Sequence, residues 1–351
     1  MLQQTQVKTV IPFWNRWMKE LPTIEAAAKA PSAKIHKLWE GLGYYTRVRN
    51  LQKAAQQIVQ GEKLKAERGN TGGQFPENFD EVLALPGIGR YTAGAICSIA
   101  FNQPKPILDG NVIRVLTRLL GIRENARERE TNARLWELAQ GLVAAAGEIA
   151  NRRRLAIGDR LSSSSPCSAL NQSLMELGAL VCTPRQPKCG TCPLAKNCVA
   201  KRDNLTEEIP NLGARARTTA RRFVACVVEH DGKFLVRQRP GGVVNAHLWE
   251  FPNVEIPVDT AVDRAQNLLE SDLGCALSSI VPLVTIKHTI TRYRIMLEVF
   301  RGEMNGAGLD ARGEWVSRRL MDKLAFTSAH RRVLNQARAK AGDCNTAKFT
   351  S

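Results

Sequence analysis

Four cysteines in the pattern Cys182-x6-Cys189-x2-Cys192-x5-Cys198 place four thiols within one short segment. Pro184, Pro187 and Pro193 favour the irregular turns that would let them converge. Four thiolates suit a zinc ion or a [4Fe-4S] cluster, and ligand type alone leaves the two open. Upstream, Leu85-Pro-Gly-Ile-Gly-Arg-Tyr-Thr-Ala-Gly94 is a turn leading straight into a helix. Gly87 and Gly89 there can take positive φ and let another backbone approach closely. Free amides at such a helix N-terminus can bind a phosphate without reading base sequence. Further on, Ile107-Leu-Asp-Gly-Asn-Val112 carries a carboxylate, Asp109. A carboxylate beside a DNA cleft can stabilise an oxocarbenium ion at C1′ of a flipped nucleotide. An Asp before Gly is, however, more often a turn or cap residue.

The elements that must position these groups show as periodicity. Val7, Val10, Ile11, Trp14, Met18 and Leu21 recur at helical spacing, with Pro12 expected to open or kink that helix. Val48, Leu51, Ala55 and Ile58 form a second stripe behind the Gly41-Leu-Gly43 turn. Residues 64–75 are polar and glycine-rich and read as a surface loop. Phe79 to Leu85 runs into the turn, and Thr92 to Phe101 follows as an apolar helix. Residues 151–169 read as a mobile insertion. Leu174, Leu177, Leu180 and Val181 mark a helix before the cysteines.

Residues 201–221 are charged, carry Pro210 and Gly213, and read as a linker. Beyond them the period becomes that of strands. Residues 223–229 and 233–237 flank Asp231-Gly232, a hairpin signal. Residues 286–300 alternate, and helices are expected at 261–273 and 328–340. The reading is a multidomain chain: a mostly α domain, then a smaller α+β domain.

Composition narrows the class of partner. The 351 residues hold 50 Lys and Arg against 33 Asp and Glu, a formal charge of +17. Such basicity suits a polyanion but does not choose among DNA, RNA and an acidic membrane. No apolar run is long enough to span a bilayer, and no charged n-region leads into an apolar h-region. With nine cysteines and no secretory signal, metal or cluster ligation is favoured over a disulfide framework. A cytoplasmic location follows as the expectation, nucleoid-associated if the source is bacterial.

The 6-2-5 cysteine spacing resembles the cluster loop of the endonuclease III superfamily of DNA glycosylases, and residues 85–94 resemble its helix–hairpin–helix. Three further segments resemble adenine DNA glycosylases of the MutY type: Met1-Leu-Gln-Gln-Thr-Gln-Val7, Trp39-Glu-Gly-Leu-Gly-Tyr-Tyr-Thr-Arg-Val-Arg-Asn50 and Asn171-Gln-Ser-Leu-Met-Glu-Leu-Gly-Ala179. The resemblance implies a [4Fe-4S] cluster on Cys182, Cys189, Cys192 and Cys198. It implies a monofunctional glycosylase that removes adenine opposite 8-oxoguanine or guanine in double-stranded DNA, acting in base excision repair as a monomer.

By the same resemblance Asp109 stabilises the sugar cation. Tyr91 stands where lyase-active relatives carry a Schiff-base Lys, and helps to position the sugar. Gln4 and Tyr44 enter the base stack near the lesion. Gln172 contacts the flipped adenine, and Gly87, Gly89 and Asn111 contact DNA. The domains implied are 1–200, with the cluster loop at 182–198; a linker at 201–221; and a Nudix-like 8-oxoguanine reader at 222–342. In that reader Ile290-Thr291-Arg292 replaces a family triplet, often Phe-Ser-His, and Thr291 is expected at the lesion. The helix from Asp263 to Glu270 lacks the Glu cluster of a working Nudix hydrolase. The family's catalytic Glu is expected upstream of Met1. The rival reading is therefore a lesion-binding protein without catalysis.

Overall fold

The computed structural model describes residues 1–67, 75–157, 165–214, 217–260, 262–290, 292–304 and 311–346. The chain packs as two compact units, Met1–Gly61 with Ala216–Ser351, and Glu62–Arg215. It opens with α1 (Val7–Glu20), α2 (Ile24–Lys29), α3 (Ser32–Trp39) and α4 (Thr46–Glu67). The unit from Glu62 to Arg215 continues with α5 (Phe79–Leu83), α6 (Arg90–Phe101), α7 (Gly110–Leu120), α8 (Arg129–Ile157), α9 (Pro166–Leu180) and α10 (Val199–Arg202). The C-terminal part adds β1 (Thr219–His230), β2 (Lys233–Gln238), β3 (Trp249–Glu250), β4 (Asn253–Ile256), α11 (Val262–Leu273), β5 (Leu277–Ile290), β6 (Tyr293–Met304), β7 (Glu314–Ser317), α12 (Arg318–Met321) and α13 (Ser328–Thr346).

The sheet runs β3-β2-β1-β6-β5, with β4 on β1 and β7 on β2. β1 and β6 are parallel. Val224 to Val228 of β1 are all fully buried, because both faces of this central strand are covered. One face packs Phe234, Phe251, Phe326 and Val333 together. The other packs Leu235, Leu269 and Leu273.

Several expectations change at this level. The alternating run 286–300 is two strands, for the chain reverses between Ile290 and Tyr293, which face each other across β5 and β6. Both arms alternate and no Gly, Pro or Asn marks the turn, so periodicity alone merged them. Pro12 lies inside α1 and does not open it. α4 extends to Glu67 into the expected loop, whose residues 68–74 fall outside the described ones. α8 continues to Ile157 and α9 starts at Pro166, so helix occupies both ends of the expected insertion. Between residues 203 and 214 the expected linker is partly packed, with Leu205 and Ile209 buried against Ala200.

Within the first unit, the N-terminal helices dock on the C-terminal ones through Glu40. Its Oε1 accepts from the Phe326 amide at 2.9 Å and from Arg331 Nε at 2.7 Å. Lys37 Nζ donates to Glu40 Oε2 at 2.7 Å and to the Leu324 carbonyl at 3.0 Å. Leu248 and Ala325 complete an apolar cluster with Trp17 and Trp39.

His330 of α13 is buried in the C-terminal core, where its Nδ1 accepts from the Phe251 amide at 3.0 Å. Burial, then Arg239 and His288, push its pKa down to about 3. Glu250 also faces it, 3.9 Å from Nε2. The folded protein therefore keeps this imidazole neutral, while the unfolded chain protonates it below about pH 6.5. Its contribution to stability is complete above that pH and is lost as pH falls towards the folded value. Relative to His330→Asn, the wild-type protein is expected to lose about 2 kcal/mol between pH 7.5 and 5, at a limiting slope of about 1.4 kcal/mol per unit. Urea unfolding of both proteins across that range measures the difference.

Candidate functional site

Asp109 is the N-cap of α7. Its Oδ1 accepts from the amides of Asn111 at 2.9 Å and Val112 at 2.8 Å, and its Oδ2 from Asn111 Nδ2 at 3.2 Å. The cap role and a catalytic role are therefore compatible: the helix holds one oxygen rigidly and stabilises the negative charge. Close packing brings the neighbours in. A Cβ on Gly94 of α6 would meet the Pro106 carbonyl oxygen at 2.1 Å. One on Gly178 of α9 would meet Asn111 Cβ at 2.6 Å. Only glycine lets α6 and α9 approach the segment that presents Asp109 so closely.

Tyr91, in the first turn of α6, is half-buried and donates its hydroxyl to Met175 Sδ at 3.4 Å. Burial first, and the Asp109 charge second, raise its pKa, so the phenol stays neutral beside the carboxylate. The turn preceding α6 differs in one respect from expectation. Gly87 has φ +79°, but Gly89, the N-cap, has φ −95° and is extended. With no side chain at Gly89 to cap them, the first amides of α6 are left without a side-chain acceptor from that position.

The four cysteines line one cavity, joined by Arg118. Burial, then the neighbouring Cys182, Cys198 and Cys192, push the Cys189 thiol up, because thiolates this close repel one another. A polynuclear cation relieves that repulsion. Among the described residues no three His, Cys, Asp or Glu side chains meet as a single metal ion requires. Four thiols lining one cavity supply the donor set that an iron–sulfur cluster takes.

Two arginines of α7 hold this loop, and sequence reading missed both because they look like surface charge. Arg118 is 2% exposed. It donates to the carbonyls of Ile209 at 2.7 Å, Thr183 at 2.8 Å, Pro184 at 3.1 Å and Thr206, and lies 3.5 Å from Cys182 Sγ. Arg114 donates from Nε to the Cys182 carbonyl and from Nη2 to the Gly178 carbonyl, each at 2.6 Å, and from Nη2 to Asn111 Oδ1 at 2.8 Å. A continuous path thus runs from Cys182 through Arg114 and Asn111 to Asp109. The one available clue was spacing: on a helix, positions 114 and 118 share the face that follows Asn111.

The remaining candidates are placed separately. Gln172 is exposed on α9, with its amide on Ser168 Oγ at 2.9 Å. Its neighbour Asn171 is the buried one, donating to Ser98 Oγ at 2.8 Å and the Lys105 carbonyl at 2.9 Å. In the other unit, Gln4 and Tyr44 are exposed and both take positive φ, 56° and 46°. Thr291 lies outside the described residues. On α11, Glu270 accepts from the Leu277 amide at 3.0 Å and Asp272 pairs with Arg237, so both carboxylates are engaged within the fold.

Comparison with known proteins accords with this arrangement. The description HhH-GPD superfamily base excision DNA repair protein matches residues 1–140. The iron–sulfur binding domain of endonuclease III matches residues 182–198, the four-cysteine loop, and a Nudix domain matches residues 223–336. The fold is thus a helix–hairpin–helix glycosylase domain with a [4Fe-4S] loop, followed by a Nudix-like α+β domain.

Adenine DNA glycosylases are the relatives. That of Rattus norvegicus is 37% identical over 73% of this chain and 53% of its own length. That of Arabidopsis thaliana is 33% identical over 95% of this chain and 57% of its own. That of Buchnera aphidicola (subsp. Schizaphis graminum) is 31% identical over 78% of this chain and 70% of its own. The chain belongs to the adenine DNA glycosylase family. It spans little more than half the length of the rat and plant relatives.

The anchoring arginines lead to a test. Each hydrogen bond from a buried charged donor contributes about 1.5–3 kcal/mol. Arg118→Met is therefore expected to cost at least about 3 kcal/mol and to loosen the loop. Purified wild-type protein should carry about four irons per chain, and the variant markedly fewer, as read by iron analysis and visible absorbance.

Proposed function

We propose that this protein removes adenine from A:8-oxoguanine and A:G mispairs in double-stranded DNA by hydrolysing the N-glycosidic bond, as a monomer in base excision repair. The observation that supports it best is the Asp109–Tyr91 arrangement: a helix-capping carboxylate beside a neutral phenol, at the start of a helix that follows a glycine turn. As the bond to the base breaks, positive charge develops at C1′. Among the described residues Asp109 Oδ2 accepts only from the Asn111 side-chain amide, and it offers a negative charge to that cation. The rigid cap means little reorganisation is required at the moment of reaction.

Tyr91 cannot form a Schiff base, so water completes a hydrolysis without strand cleavage. The amides at the start of α6 take a backbone phosphate, and Gln172 meets the extruded base. Gln4 and Tyr44 enter the stack beside the lesion, and Thr291 reads the 8-oxoguanine. The [4Fe-4S] cluster, held by Cys182, Cys189, Cys192 and Cys198, supplies structural order to its loop. Through Arg114 and Asn111 that order reaches Asp109.

Asp109→Asn separates charge from capping, for an amide oxygen still caps α7. Single-turnover excision from an A:8-oxoguanine duplex is expected to fall by about two to four orders of magnitude, as when one electrostatic or acid–base group is removed. Affinity for the duplex should change little. Undiminished excision would exclude Asp109 from the chemistry.

A further inference from the structure

Arg47 occupies a costly position. It stands in the first turn of α4, the end of a helix dipole that disfavours a cation. Burial lowers its pKa, and among the described residues its buried Nε has no hydrogen-bond partner. Nothing in helix formation calls for an arginine there.

What the guanidinium does instead is bridge two segments far apart in sequence. Its Nη1 donates to the Met1 carbonyl at 2.9 Å, to the Gln3 carbonyl and to Thr5 Oγ1 at 3.0 Å. Its Nη2 donates to the carbonyls of Leu42 at 3.0 Å and Gly43 at 3.1 Å. The group lies 5.4 Å from the Trp39 ring centre and 5.7 Å from that of Tyr44. The residues so held flank Gln4 on one side and directly precede Tyr44 on the other. These two exposed residues both adopt the left-handed backbone that non-glycine residues avoid. A strained loop persists only where its surroundings over-determine it. One forked side chain does so for both segments at once.

We propose that Arg47 is the positioning residue of the strand wedge: its guanidinium locks the Gln4 loop and the Tyr44 turn into one geometry before DNA arrives. The inference rests on the reading of Gln4 and Tyr44 as wedge residues. The choice of arginine follows from its shape. Nη1 serves the N-terminal loop and Nη2 the glycine turn, while the flat face stacks on aromatic rings. A lysine has one nitrogen at a single point and cannot bridge both segments while stacking. Preformed geometry matters because ordering two loops during intercalation would be subtracted from binding.

The test uses a duplex with 2-aminopurine beside an A:8-oxoguanine pair, whose fluorescence rises when the neighbouring base is unstacked. Wild-type protein is expected to raise it. Arg47→Lys should abolish most of that rise and weaken the preference for the mispair over matched duplex by about tenfold. Its thermal midpoint should fall with the lost hydrogen bonds but stay above the assay temperature, and its affinity for undamaged duplex should stay near wild type. Adding Arg47→Lys to Tyr44→Ala should lower the signal no further. An Arg47→Lys protein that unstacks the duplex as wild type does would overturn the proposal.

Should that variant not fold, Thr5→Val removes one acceptor of Nη1 and leaves the guanidinium in place. A partial loss of the fluorescence rise supports the proposal, and no loss overturns it. If the wild-type protein itself gives no rise, the wedge reading fails first and the role of Arg47 falls with it.

Discussion

Charged guanidiniums buried among backbone carbonyls are the interaction on which the unit from Glu62 to Arg215 depends. A loop wrapped around four thiols has little regular secondary structure to satisfy its carbonyls, and a buried carbonyl without a donor is costly. Arg118 answers that need for Thr183, Pro184, Thr206 and Ile209 together. It thereby ties the cluster loop to the chain that leaves it. Arg114, one turn earlier, ties the same loop to α9 and to Asn111. Arginine suits both places because its donors diverge from one rigid plane.

The consequence for chemistry is mechanical. Asp109 takes its position from the N-terminus of α7, which it caps. That helix end is clamped from outside by Arg114 and from two sides by glycine-permitted contacts at Gly94 and Gly178. The four-cysteine loop is joined to Asp109 by the same contacts, for the Cys182 carbonyl anchors Arg114, which in turn orients Asn111. The same arrangement explains why α7 reads as a strongly amphipathic helix with arginines on its buried side, which hydropathy assigns to solvent.

The other unit solves a different problem. Its N-terminal helices and its C-terminal domain are separated by more than 150 residues of sequence, yet Glu40 joins them through the Phe326 amide and Arg331. Trp17, Trp39, Leu248 and Ala325 share one apolar cluster across the same junction, and the partial burial of Arg331 and Glu40 strengthens their pair relative to a fully exposed one. Gln4, Tyr44 and the strands β5 and β6 therefore belong to one packed unit.

Much of this was legible in the residues themselves. The cysteine spacing, the glycine turn, Asp109 as a turn or cap residue and the change to strand period beyond residue 221 are local signals, set by neighbours a few positions apart. Local sterics and ligand chemistry determine them before any packing occurs. Only the tertiary structure decided the rest. The pattern at 286–300 could not show its reversal, because both arms alternate and the turn lacks a breaker residue. Arg47, Arg114 and Arg118 read as surface charge, since hydropathy scores a guanidinium as solvent-facing wherever it stands. Whether such a group is buried depends on carbonyls supplied by distant segments. Position in sequence carries no record of those partners, and only folding brings them within hydrogen-bond reach.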